Sequence, residues 1–130
     1  FRAMTSRHEM LREVRGLGLM LGVEFGAPSS LKLRASWAMI EAANKGLFCQ
    51  LITIPLFKQH KILTQVAGHG SHTIKLLPSY LITDEDCAWI ENAFDQVIAE
   101  SHKVPGAIWS LGKTLIENAM AAKRAQNASV

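Results

Sequence analysis

Three histidines are the first candidates for chemistry in this sequence. His69 and His72 lie three positions apart in "HGSH", and His60 precedes them. Imidazoles at this spacing could bind a metal ion, but a metal centre needs three or four converging ligands, and no cysteine or acidic residue accompanies them locally. The sequence therefore predicts no metal site. We interpret these residues as exposed loop histidines, and the alternative is that their loop contacts a cofactor or substrate.

The cysteines and the acidic cluster are weaker candidates for catalysis. Cys49 and Cys87 lie far apart in apolar surroundings, which is typical of buried free thiols in a cytoplasmic protein rather than of a disulfide. Neither has a basic residue at a spacing that would activate a thiolate. Asp84, Glu85 and Asp86 are better explained as acids that favour the first turn of a helix than as catalytic carboxylates.

Composition excludes several classes of protein. The chain has 130 residues, 48% of them hydrophobic and 19% charged, with a net charge of +3, as expected of one globular domain. Its basic residues are scattered, so we expect no nucleic-acid partner. No apolar run approaches the ~20 residues of a membrane span, and no signal peptide is visible. We therefore expect no membrane partner and a cytoplasmic location.

Hydrophobic periodicity predicts three strands and three helices. The strands are predicted over 17–25, 47–53 and 72–78, with a long connection over 54–70. In the first strand, alternate residues should share one face; these are Leu19, Leu21, Val23 and Phe25.

The first helix is predicted over 31–46, with Ser29 or Ser30 as its N-cap and Gly46 at its C-terminal end. Its expected buried stripe consists of Leu31, Ala35, Ala38, Met39 and Ala42.

Two further helices are predicted in the second half of the chain. Thr83 and Asp86 form a capping box at the start of one of them. Its expected buried residues are Cys87, Ile90, Phe94 and Val97, with Ser101 as a further candidate. The stretch 103–107 breaks the chain before a last helix over 108–124, whose apolar side comprises Ile108, Leu111, Leu115, Ala119 and Ala122. Lys123 and Arg124 suit the C-terminal end of its dipole.

These elements predict an α+β fold. We expect a small three- or four-stranded, mainly antiparallel sheet, covered by helices on one face, with an additional C-terminal helix. The other face should meet water or a partner. Residues 1–10 have the composition of the tail of a truncated helix, 11–102 should form the domain itself, and 103–130 a C-terminal helical extension. The chain is thus expected to be a fragment of a longer protein.

Three stretches in this order resemble a known family. "EVRGLGLMLGVEF" is similar to its V-R-G-x-G-L-M-x-G-x-E run, "AANKGLFCQ" to its helix followed by A-x-x-x-G-L-L, and "HTIKLLPSYLITDEDCAWI" to its N-x-I-R-x-x-P-P-L-x-I-T-x-E-E. The family is the class III, fold-type I pyridoxal-phosphate-dependent aminotransferases, such as those acting on acetylornithine, ornithine or 4-aminobutyrate. The resemblance covers residues from about 10 to 100 and is to the C-terminal small domain.

The resemblance implies a homodimeric parent enzyme that transfers an amino group from an amine or amino acid to a 2-oxo acid. In this family the Schiff-base lysine and the rest of the pyridoxal phosphate site belong to an N-terminal large domain of the same polypeptide. No lysine of this chain stands in a comparable motif. The resemblance therefore implies no catalytic residue here, no cofactor bound to this chain alone, and no activity without the large domain.

The resemblance also implies roles for four residues. Lys75 occupies the position of an arginine that binds the substrate carboxylate, and Arg15, Gly16 and Gly18 lie near the domain junction. A lysine offers a point charge without the arginine fork. Either carboxylate recognition is looser than in the family, or the amino donor lacks a carboxylate at that end, or another residue binds it. The alternative for Lys75 and for Arg15 is an ordinary solvent-exposed charge. The alternative for the chain as a whole is a non-catalytic α+β interaction or regulatory module.

Overall fold

The structure is a computed structural model that describes residues 1–128. After a 3₁₀-helix over Arg2–Ser6, four strands and four α-helices follow. The strands are β1 (Leu11–Leu17), β2 (Met20–Phe25), β3 (Gln65–Val66) and β4 (Thr73–Leu76). The helices are α1 (Leu31–Ala43), α2 (Leu47–His60), α3 (Asp84–Ser101) and α4 (Ala107–Ala128).

The strands form one antiparallel sheet in the order β1-β2-β4-β3, which confirms the predicted α+β class. Val14, Val23 and Ile74 pair across three neighbouring strands and are all buried. Their sequence neighbours Arg15 and Lys75 point to the other side and retain exposure. One face therefore carries the core, as predicted, and we call the opposite one the outer face.

The predicted first strand over 17–25 is wrong, because these residues include a hairpin turn. Leu17 pairs with Met20, so Gly18 and Leu19 form a two-residue loop between β1 and β2. Gly18 has φ of +56°, which glycine adopts without strain at the first position of such a loop. Beyond the turn the predicted alternation is correct, since Val23 and Phe25 are buried.

Helix α1 was predicted to bury the wrong side. Its buried residues are Leu33, Trp37 and Ile40, whereas Leu31 is 84% and Met39 is 55% exposed. Both sides of this helix carry apolar residues, so periodicity does not distinguish them. The side with the larger side chains is buried because it removes more apolar surface from water. The helix also ends at Ala43, three residues before the predicted position.

Helix α2 (residues 47–60) replaces the predicted strand over 47–53 and the first part of the predicted connection over 54–70. Gly46 has φ of +81° and is the N-cap of α2 rather than the end of α1. A short apolar run has the same composition in a buried strand and in a buried helix, and Pro55 adds a signal against a helix. Burial nevertheless stabilises the helical form, since half of its residues are buried: Leu47, Phe48, Cys49, Leu51, Ile52, Pro55 and Leu56.

Helix α3 begins as predicted. The Thr83 hydroxyl accepts the backbone N–H of Asp86, and the Asp86 carboxylate accepts the backbone N–H of Thr83. Phe94 and Val97 are buried as predicted, and Ile90 is partly buried, but the prediction for Cys87 is wrong. Cys87 lies in the first turn, before α3 reaches the core.

Helix α4 packs against α1, α2 and α3. Ile108 is buried, and Leu111 and Leu115 are partly buried. The expectations for the side chains of Ala119, Ala122 and Lys123 lie outside the described residues. Within residues 1–128, the helices lack the combination of length and apolar character that crossing a bilayer requires.

Candidate functional site

The two cationic residues predicted from the sequence lie in one row on the outer face of the sheet. Arg15 on β1 pairs with Gly22 on β2, and Gly22 pairs with Lys75 on β4. Because paired Cα atoms in antiparallel strands are about 4.5–5.5 Å apart, those of Arg15 and Lys75 are about 10 Å apart. Gly22 places no side chain between them.

The charge of Arg15 is engaged within its own hairpin. Its Nη1 atom donates to Oε2 of Glu13 at 3.1 Å and also to Oε2 of Glu24. The hydrogen bond and the charge of Glu24, with a smaller contribution from Glu13, raise the pKa of Arg15 above its usual value. A carboxylate from a partner would therefore have to compete with two intramolecular ones.

Gly16 and Gly18 are explained by the hairpin itself. A Cβ at Gly16 would lie 2.1 Å from the carbonyl oxygen of Met20, a distance at which the two strands could not pair. Gly18 provides the positive φ of the turn. Both glycines are thus needed for this hairpin, whether or not another domain approaches it.

Lys75 has a more open environment than Arg15. It is partly buried on β4, and its backbone carbonyl accepts a 2.6 Å hydrogen bond from the Thr64 hydroxyl. Among residues 1–128, the structure shows no ion pair or hydrogen bond to its Nζ atom. Its ammonium group is therefore available to an anionic group from outside the described chain.

Lys75 also lines a groove of about 430 Å³. The groove lies between the start of β2, the end of β4, the segment after α2 and the first half of α3. Its walls are mainly apolar and include Leu21, Ile62, Leu76, Trp89 and Ile90, with Lys61 as a second cation.

Several side chains that line this groove are large, apolar and exposed. We call Leu19, Leu63, Leu77 and Trp89 the apolar end of the molecule; Leu63 is 83% and Leu77 is 60% exposed. Exposed apolar residues gathered around a groove are typical of a surface that contacts a ligand or another protein.

His72 is part of a histidine–carboxylate pair that the sequence did not indicate. Its Nε2 atom lies 2.6 Å from Oε2 of Glu41, and Glu41 also accepts the backbone N–H of Gly46 at 3.1 Å. The Trp37 ring lies 5.5 Å from the imidazole. The interpretation of His72 as an exposed loop residue was therefore wrong, whereas His69 is exposed.

A second pair fixes the beginning of the chain to α3. Nε2 of the buried His8 lies 2.7 Å from Oδ1 of Asp95, which also binds Arg7 at 3.1 Å. In both pairs the partners are distant in sequence, so local spacing gave no signal. Among residues 1–128, no group of three or more histidine, cysteine and acidic residues could hold a metal ion.

The two cysteines differ in environment, and the structure shows both as free thiols. Cys49 is buried, and burial, with a smaller effect from the charge of Glu41, raises the pKa of its thiol to about 12. It is therefore protonated at neutral pH and unsuited to nucleophilic catalysis. Cys87 is exposed and lines the groove.

A comparison with models of known protein families found none that matches this chain.

Proposed function

We propose that this chain is the C-terminal small domain of a class III pyridoxal-phosphate-dependent aminotransferase. In this proposal it works with an N-terminal large domain of the same polypeptide, in a homodimer. The parent enzyme transfers an amino group from an amine or amino acid to a 2-oxo acid. Two unbonded cysteines are consistent with the reducing cytoplasm as its location.

The main support for this proposal is the pairing of Gly22 with Lys75. The two residues come from the first and third of the stretches that resemble the family, which are far apart in the chain. The fold brings them side by side, next to the apolar end and its groove. A large domain that covered the apolar end would bury its exposed side chains and exclude water from the ammonium group of Lys75.

The proposal places the pyridoxal phosphate site outside the described residues. Such a site needs a lysine for the Schiff base, an acidic residue at the pyridine nitrogen and N–H donors for the phosphate. Lys75 is flanked on the adjacent strands by Gly22 and Gln65. The N-terminus of α3 carries three acids, which would repel a phosphate. When bound, the cofactor supplies electron-sink chemistry, and we assign it to the large domain.

The role proposed for this chain is substrate binding. Lys75 offers a positive charge to a substrate carboxylate, without the bidentate geometry of arginine. The groove, which Lys75 also lines, offers apolar contacts. No proton or group transfer is assigned to residues of this chain.

The coding sequence upstream of Phe1 tests the proposal. We expect an open reading frame that continues for roughly two domains and encodes a lysine before a glycine-rich stretch. The encoded protein, purified at full length, should bind pyridoxal phosphate and transaminate. An upstream sequence without such a domain, or a full-length protein that does not bind the cofactor, would favour the interaction-module alternative.

The isolated chain provides a second test. After incubation with pyridoxal phosphate, we expect no stoichiometric absorbance band of protein-bound cofactor. A stoichiometric band would contradict the assignment of the cofactor lysine to another domain.

A further inference from the structure

We propose that a second copy of this chain binds along the free edge of β1, so that two four-stranded sheets join into one antiparallel sheet. Strand β1 is the first in the sheet order and pairs with β2 on one side only. With seven residues it is much longer than β3, the two-residue strand at the opposite edge. A long edge strand presents unpaired N–H and C=O groups that another strand can bind.

The direction of the backbone N–H and C=O groups shows which residues of β1 can form hydrogen bonds with an added strand. The N–H of Phe25 donates a 2.8 Å hydrogen bond to the carbonyl just before β4, so odd-numbered residues of β2 face β4 and Gly22 faces β1. Gly22 pairs with Arg15, whose backbone groups are therefore used within the hairpin. Since the direction alternates along a strand, Val14 and Gly16 turn their N–H and C=O groups to the free edge.

The charges beside Val14 make this edge complementary to itself. Glu13 and Arg15 flank Val14, both point to the outer face, and their side chains are 59% and 50% exposed. If two copies of β1 pair antiparallel about a two-fold axis at Val14, Glu13 of each copy lies opposite Arg15 of the other. Opposite charges in directly facing positions stabilise a strand pair.

Other symmetric registers lack this complementarity. An axis at Glu13 or at Arg15 places like charges opposite each other, and an axis at Gly16 places Arg15 opposite Leu17. Only the register centred on Val14 combines free backbone groups at the axis with two contacts between opposite charges.

Within the hairpin, Glu13 lies directly opposite Glu24, and these two carboxylates share the guanidinium of Arg15. In the joined sheet each Arg15 would also face Glu13 of the other copy, which would compete with the two carboxylates of its own hairpin. Residues 13–17 contain no lysine or proline, so the features that could protect this edge are the charges of Glu13 and Arg15 and the register shift between residues 11 and 13.

Charge exchange tests this interface, with sedimentation equilibrium of the purified chain as the measurement. E13R or R15E alone places like charges opposite each other in both contacts, so we expect the dimer dissociation constant to rise by about tenfold or more. An equimolar mixture of the two variants restores opposite charges at both contacts, so it should form heterodimers with near wild-type affinity. The double variant E13R/R15E exchanges the two charges within one chain, so opposite charges again face each other and it should also dimerise with near wild-type affinity.

The control variants separate an effect at this interface from other causes of a change in the dimer dissociation constant. Lys32→Glu makes the same charge change as R15E on the exposed surface of α1 and should leave the dissociation constant unchanged. Circular dichroism shows whether each variant folds, and Glu13→Gln, which should weaken the dimer more mildly, replaces any variant that does not.

Three results would overturn the proposal. The first is a wild-type chain that stays monomeric at all concentrations. The second is a dimer whose affinity E13R and R15E leave unchanged. The third is association that Leu77→Ser reduces while the charge variants do not, which would assign it to the apolar end. The interface requires only the free edge of β1, so these results do not bear on the proposed aminotransferase function.

Discussion

The imidazole of His72 and the carboxylate of Glu41 are 2.6 Å apart and connect two segments that are 31 residues apart in the chain. Glu41 belongs to α1, and His72 directly precedes β4. Because Glu41 also accepts the N–H of Gly46, one side chain holds α1, the start of α2 and the approach to β4 together. The pair thus fixes how the helices are placed against the sheet.

Removal of either member of this pair should destabilise the fold. Glu41→Ala leaves the N–H of Gly46 and the imidazole without their acceptor, and a buried group that loses its partner costs about 1–3 kcal/mol. Urea unfolding of Glu41→Ala, His72→Ala and the double variant measures the coupling between the two residues. The exposed His69 is the control, and His69→Ala should change the free energy of unfolding by less than about 0.5 kcal/mol. Strictly additive effects of Glu41→Ala and His72→Ala would show that the pair contributes no coupling.

Gly46→Ala should be more destabilising than the same change at Gly68. Gly46 has φ of +81°, and a Cβ there would lie 2.9 Å from the carbonyl oxygen of Ser71. The left-handed conformation alone costs about 1–2 kcal/mol for other residues. Gly68 has open space around it, so its replacement provides the matched control. Equal free energies of unfolding for the two variants would contradict the left-handed N-cap of α2.

The two thiols should react at very different rates. Cys87 is exposed, whereas Cys49 is buried and its thiol has a pKa raised to about 12. With an aromatic disulfide reagent at neutral pH, we expect one thiol per folded chain to react rapidly and the second only after unfolding. Cys87→Ser should abolish the rapid phase. Two rapidly reacting thiols would show that Cys49 is accessible.

Glu9 should contribute to acid sensitivity. Hydrogen bonds from Ser30 and Ser29 lower the pKa of Glu9 from 4.5 to about 2. Because the folded state holds the ionised form more strongly, this stabilisation is present above pH 4.5 and is lost as the pH falls towards 2. The wild type should therefore lose more stability than Glu9→Gln between pH 7 and pH 3, measured by urea unfolding. Equal losses would show that these hydrogen bonds do not favour folding.

In the full-length protein, Lys75→Ala should raise KM for the carboxylate-bearing substrate. A hydrogen bond to a charged group contributes about 1.5–3 kcal/mol, so we expect KM to rise roughly tenfold to a hundredfold, with a smaller effect on kcat. Lys113→Ala, on the exposed surface of α4, is the control. An unchanged KM would identify Lys75 as a solvent-exposed lysine of the sheet.

The parts of the fold that depend on local chemistry were predictable from the sequence. The capping box at Thr83 and Asp86 marked the start of α3, and the run before Pro78 marked β4. Both signals lie within a few residues of the feature that they predict. The α+β class followed from the sum of such signals.

Helix α2 could not be predicted, because its conformation is decided by its surroundings. An apolar stretch with Pro55 favours a strand or a loop when it is considered alone. In the fold it is enclosed by α1, α3, α4 and the strands β3 and β4. A helix satisfies its own backbone hydrogen bonds in such an apolar enclosure, whereas a strand there would need a partner.

The candidate site was only partly predictable for a related reason. Lys75 and Arg15 were identified by type and position, but their common row depends on the pairing of β1, β2 and β4. The partners of His72 and His8 are distant in sequence, and spacing carries no information about them. The hairpin turn at Gly18 was missed because the surrounding apolar residues continue through it.

The central position of α2 also affects how the protein is made. Residues 47–60 leave the ribosome before α3 and α4, although these later helices cover much of the surface of α2. During synthesis the apolar side chains of α2 are not fully buried until α4 has emerged. A chaperone that bound α2, or a pause in translation before α4, would act in the time between the synthesis of these two helices.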